Sequence, residues 1–363
     1  MQGALELLEN FLQKHQEDPT SNDNVMLEQA AEHVDIEMRE SSFSIESVRM
    51  AHKIYGLLGD QGLNRIVEVM KCYLVSRKDD PLENQFWARW ELVDNLALLK
   101  RYKEMIKEQR SFLDWTMENM SHDYWLKVIY DSTQGVGWVE EGLQDEWFSM
   151  YEEVMNKVKR TEENRLERIL LVETAAGLYI FNLLEAENAL KEIARYDEIL
   201  QEDPSWSRYN EFSTRIRSYQ LEVYRVLKDW EKYDAIALKS LAELEQQIKL
   251  YQTADKEGNV LELSSKAHEL GTCFMWANRY QDALKLYRFA VENTGSGVNH
   301  FFYAVCLWAQ EKDKEKTLHH LRMAEHDVTW NGGLRGRYKQ MFLNQPEFAD
   351  VYDDQEFLTV FHK

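Results

Sequence analysis

The sequence predicts an all-α chain of stacked helical hairpins, and three observations carry the prediction. Apolar residues recur at helical spacing through nearly the whole chain. Gly and Pro number only 15 and 4 in 363 residues. A β-sandwich or barrel, turning roughly every 8–12 residues, needs far more turn formers. The gaps between helical patterns are short, as in antiparallel helix pairs. At about 150 residues per domain the length corresponds to two or three folding units.

The elements follow in order. Leu5, Leu8, Phe11 and Leu12 form an apolar stripe that ends before the breaker run Asp18-Pro19-Thr20-Ser21-Asn22-Asp23. A second amphipathic segment covers residues 24–40, and Ser44 can cap a third beginning at Ile45. Leu58-Gly59-Asp60-Gln61-Gly62 makes a short break inside an antiparallel pair. Asp79-Asp80-Pro81 is a helix start, with proline in the first turn and acids facing the positive end of the helix.

Repetition dominates the second half. Between Ala267 and Asn293, Leu270, Gly271 and Phe274 precede Tyr280, Ala283, Tyr287 and Ala290. Gly271 and Ala283 let two helices approach while Phe274 and Tyr287 fill the space beside them. Asn278 takes the turn between the helices, where a positive φ is easiest for Gly or Asn. A shift of 34 residues lands on Phe301, Trp308, Lys314, Thr317, Leu321 and Ala324, with Val305 replacing the glycine. Ala176, Gly177, Ile180, Ala186, Ala189 and Ile193 fit upstream, as do Leu221, Tyr224, Trp230, Tyr233 and Ala237. The glycine-equivalent positions are 177, 221, 271 and 305, so the first two intervals exceed the third and require extra length at 201–209 and 251–259. Trp90, Val93, Leu96, Tyr102, Met105 and Phe112 give a poorer fifth match.

This pattern resembles the tetratricopeptide repeat, in which L-G-x-x-Y on one helix meets A-x-x-x-F-x-x-A on the next. The resemblance covers about residues 170–327, with a fainter trace at 85–120. It implies a right-handed superhelix whose first helices line a concave groove. Three regions are expected: irregular hairpins over 1–160, repeats over 161–330 and a helical cap over 331–363. Phe342, Phe348, Val351, Phe357 and Phe361 would cover the open face of the last repeat, as a solenoid requires. Template alignment assigns the groove to Asn182, Arg215, Glu222, Arg225, His268, Thr272, Trp276 and Tyr303.

The formal net charge is −21. Such a surface repels nucleic acid and anionic lipid and favours a neutral or basic partner. Arg215 and Arg225, ten residues apart on one helix, could instead hold a ligand carboxylate such as a peptide C-terminus. The alternative is that both pair with neighbouring Glu side chains. Trp230 and Trp308 read as core, and Trp276 stands beside the groove positions. Cys72, Cys273 and Cys306 lack disulfide or zinc spacing and read as free thiols, which with the absence of a leader pattern predicts a cytoplasmic protein.

Motifs for chemistry are sparse, and no cofactor is expected. His319, His320, Glu325 and His326 lack the i, i+4 histidine pair of a helical zinc site and suit a solvated face. Asp79-Asp80-Pro81-Leu82-Glu83 superficially resembles an acidic magnesium run, but its proline sets the acids at a helix start. Gly135-Val136-Gly137 and Gly295-Ser296-Gly297 do not complete a nucleotide loop. Asn331-Gly332-Gly333-Leu334-Arg335-Gly336-Arg337 could hold an anion or simply connect the cap. The function expected is non-catalytic peptide or protein binding. The alternatives are an intracellular signalling-peptide sensor of the same repeat class and a metal-dependent helical enzyme.

Overall fold

The computed structural model describes residues 2–17, 24–130, 137–253, 259–326 and 337–361. These contain helices and no strand. The chain forms two compact units, Met1–Ala175 and Ala176–Lys363.

The first unit holds α1 (Gln2–Glu17), α2 (Asn24–Glu40), α3 (Ile45–Gly56), α4 (Gly59–Ser76), α5 (Leu82–Leu98), α6 (Tyr102–Asn119), α7 (His122–Tyr130), α8 (Gly137–Glu140) and α9 (Gln144–Lys157). Each helix from α1 to α6 packs on the next, and α9 returns onto α6 and α7. Ser44 caps α3 by accepting the Ser47 N–H. Arg77, just past α4, donates to the carbonyls of Ser41 and Ser42 at 2.6 and 2.9 Å and so holds the α2–α3 turn. Of the first stripe, Leu8 and Phe11 are buried whereas Leu5 and Leu12 are exposed. Trp138, Trp147 and Tyr151 are fully buried and stack in series.

The chain continues through α10 (Arg165–Gly177) and a π turn at Leu178–Leu183. The second unit then adds α11 (Ala186–Gln201), α12 (Tyr209–Leu227), α13 (Trp230–Thr253), α14 (Val260–Trp276), α15 (Tyr280–Thr294), α16 (Gly297–Glu311) and α17 (Lys314–His326). The hairpins α12–α13, α14–α15 and α16–α17 stack in sequence. The longer intervals are accounted for by the α11–α12 loop and by α13, a helix of 24 residues.

One turn recurs. Lys100, Leu184, Lys228, Asn278 and Lys312 all have φ between 51° and 59°. Each lies seven residues after a glycine-equivalent position, and two residues later the second helix begins. At three of these turns the following N–H reaches back five residues: Arg101 to Leu96 O, Asp229 to Tyr224 O and Arg279 to Phe274 O, at 2.8–2.9 Å. The carbonyls left over at the helix end are satisfied there. The fainter match at Val93 therefore shares the turn of the stronger ones. A polar pair three residues apart opens each second helix: Arg101–Glu104, Glu185–Asn188, Asp229–Lys232, Arg279–Asp282 and Asp313–Lys316.

The last hairpin is capped by α18 (Arg337–Asn344), a 3-10 turn at Pro346–Val351 and α19 (Gln355–Val360). Phe342, Phe348, Val351, Phe357 and Phe361 are all buried. Asp350 accepts from Trp308 Nε1 at 2.8 Å and Lys312 Nζ at 2.6 Å, while Lys314 pairs with Asp354. Trp308 is core as expected. Trp230 is not: it is 48% exposed, because the first turn of a second helix lies at the edge of the layer, and its ring meets Tyr233 edge-on.

Helix approach is the constraint at Gly271, where a Cβ would sit 3.3 Å from the buried Tyr287 ring. At Gly177 the nearest atom, on Tyr219, would be 3.7 Å away. Gly271→Val is expected to destabilise by about 1–3 kcal/mol through overpacking, and Gly177→Ala by much less. Thermal unfolding of the two variants checks the difference; equal melting temperatures would refute it.

Candidate functional site

The face most open to a partner is set by the order of layers in the second unit. The first helices touch one another, α12 with α14 and α14 with α16, in addition to their own second helices. Phe181, in the π turn, reaches past the next hairpin to Trp276 at the end of α14, with ring centroids 6.3 Å apart. Tyr219 of α12 lies beside it at 6.4 Å. Contact between elements two hairpins apart occurs on the inner side of a curved stack. Phe181 and Trp276 are 51% and 44% exposed, so this inner face carries an accessible aromatic cluster.

Two of the sequence candidates lie open to solvent here, Trp276 and Asn182. Phe181, rather than Asn182, meets the other aromatic rings. The phase used to choose Asn182 assumes 3.6 residues per turn, and the π turn breaks that phase. Arg215 is half-buried with its guanidinium 5.2 Å from the Phe212 ring centroid.

The remaining candidates are engaged within the fold. Glu222 is 5% exposed and takes two hydrogen bonds from Arg225, one from Nε at 2.8 Å and one from Nη2. That bond raises the Arg225 pKa. Thr272 Oγ1 donates to His268 O at 2.9 Å and lies 2.8 Å from the Tyr287 hydroxyl. His268 Nδ1 is 2.7 Å from Asn299 Oδ1, and burial lowers its pKa against that bond. Tyr303 is buried, with Arg288 Nε at 3.4 Å and the His320 ring edge-on at 4.7 Å. Its position between α15 and α17 is a core position, not a groove position.

Phe181 and Tyr219 were missed in the sequence. Neither belongs to the repeat template, and only the stacking of the hairpins brings Tyr219 to Phe181 and Phe181 to Trp276.

The other sequence motifs resolve as structure. Asp80 accepts from the Tyr73 hydroxyl at 2.8 Å. Gly295, with φ 62°, ends α15. Cys273 and Cys306 are buried, and burial pushes the Cys273 thiol up to about 12. Residues 331–336 and the side chain of Arg337 lie outside the described residues, as do Gly135 and Val136. His319 and His326 are exposed. His320 instead faces His300 across the α16–α17 hairpin, with Nδ1 atoms 2.8 Å apart. One nitrogen must donate and the other accept. Among the described residues no group of three or more His, Cys, Asp or Glu side chains is placed to hold a metal ion.

No family model matches the chain, and no curated protein matches it. Among solved structures it is similar to the apo form of RapI, at 12% identity and a TM-score of 0.48, over 87% of this chain and 85% of that one.

Two outcomes follow from this geometry. Arg225→Ala strands the buried Glu222 carboxylate and is expected to cost about 1–3 kcal/mol. Denaturant unfolding checks it, and adding Glu222→Leu should recover part of the loss. The second outcome concerns His320, whose pKa is lowered from 6.5 to about 4 by burial, then by the neighbouring His300 and His319. A base depressed in the folded state contributes stability that is complete above pH 6.5 and lost as the pH falls toward about 4. Melting temperatures measured across that window should fall more steeply for wild type than for His320→Gln; parallel curves would refute the assignment.

Proposed function

We propose that this protein is a non-catalytic binding scaffold of tetratricopeptide type. It would hold a peptide or protein segment against the inner face of its second unit. The observation that carries this reading is the aromatic cluster of the exposed Phe181 and Trp276 with the half-buried Tyr219 beside Phe181. Large aromatic side chains held by rigid helices lose little freedom on binding, and tryptophan is a frequent energetic anchor of interfaces.

The charge reading narrows the partner. Arg225 is spent on Glu222, so a peptide carboxylate finds no free anchor there. The net charge of −21 favours a segment that is basic or carries a basic residue. Such a residue can place its cation over an aromatic face, an interaction of about 0.5–2 kcal/mol. We place the protein in the cytoplasm, a reducing compartment that suits buried free thiols at Cys273 and Cys306.

A displayed peptide library panned on the whole chain tests this. Enrichment of sequences pairing Lys or Arg with apolar residues is expected. Trp276→Ala should weaken the selected peptides at least tenfold, about 1.4 kcal/mol, with little change in melting temperature because the ring is largely outside the core. Failure to enrich any peptide, or equal affinity of variant and wild type, would overturn the proposal.

A further inference from the structure

A second concavity lies away from the aromatic face. The amino-terminal half of α12, the carboxy-terminal half of α13 and the start of α14 diverge at one end of their layer. They border an open cleft of about 500 Å3, within the range of small-molecule sites. A narrower cavity of about 40 Å3 shares Arg217, Glu243 and Lys266 with it. Arg217 and Tyr219 are two residues apart on α12 and so point to opposite sides of the helix. The cleft is therefore separate from the inner face.

Its charges are ordered by depth. The side chains of Arg217 and Lys266 are 25% and 17% exposed, while their partners Glu243 and Glu262 are 43% and 53% exposed. The cations thus form the floor and the carboxylates the mouth. Arg217 donates through Nη1 to Glu243. Its Nε and Nη2 make no hydrogen bond among the described residues, so most of its planar donor fork is unspent. The Ser240 hydroxyl lines the narrow cavity and is also buried without a partner. Tyr251 and Leu263 supply an apolar wall.

We propose that this cleft binds a small ligand carrying one compact oxyanion, a carboxylate or a phosphate, on an apolar body. The oxyanion would take the free edge of Arg217 in a forked geometry and share Lys266. Glu243 and Glu262 act as internal counter-ions that the ligand displaces. The carboxylates are the more exposed member of each pair, so water can take them up as the ligand displaces them. The apolar body packs on Tyr251 and Leu263.

Calorimetric titration of the full chain with phenyl phosphate and with phenylacetate, at matched ionic strength, tests this. Benzyl alcohol serves as the uncharged control. Saturable binding of at least one anion is expected, and which one binds identifies the group. Arg217→Gln together with Lys266→Gln should weaken binding at least tenfold. Glu243→Gln, which removes a competitor without opening the core, should tighten it at least threefold. Trp276→Ala should leave it unchanged, so failure here is distinct from failure of the peptide reading. Binding of neither anion, equal binding of benzyl alcohol, or no gain in Glu243→Gln would overturn the proposal.

Discussion

A single left-handed residue at the end of each first helix is the constraint on which the hairpin architecture depends. For an L-residue other than Gly or Asn this conformation costs about 1 kcal/mol or more. Yet it recurs at Lys100, Leu184, Lys228 and Lys312 as well as at Asn278. The cost is accepted because the turn satisfies helix-end carbonyls and reverses the chain within two residues. It also places the second helix in a constant phase. The complementary polar pair that opens that helix then forms locally, whatever its order of charge.

Curvature follows from what packs between the helices. Gly271 lets its helix meet the Tyr287 ring, and Ala283 is fully buried at the same crossing. First helices come close enough to touch across successive hairpins, and the inner face curves until Phe181 meets Trp276. The aromatic cluster is thus a consequence of close packing elsewhere. At the other end of the layer the long α13 diverges from α14, and the space left between them is the cleft floored by Arg217 and Lys266.

Charge is organised locally although the total is strongly negative. Arg225, Arg279 and Lys314 are each committed to an acidic neighbour. Several of these contacts stitch the cap and the turns, so they act in the fold rather than in recognition. The two proposed sites draw instead on apolar contact at the inner face and on the partly spent donors in the cleft. A long-range acidic field surrounds both.

Legible in the amino-acid order alone were the all-helical class, the register of the hairpins, the glycine at the closest crossing and the capping role of the five tail residues from Phe342 to Phe361. All of these rest on local rules: helical period, turn chemistry and side-chain volume at fixed spacing. The place of Trp276 at the end of a first helix was legible for the same reason. The partners of Arg225, His268, Thr272 and Tyr303 were not. A helical residue's face is readable from spacing, but whether that face meets solvent or another helix depends on the angle at which hairpins stack. The π turn that puts Phe181 forward and the divergence of α13 from α14 were likewise decided only in three dimensions. Each depends on packing between segments tens of residues apart, where sequence periodicity carries no information.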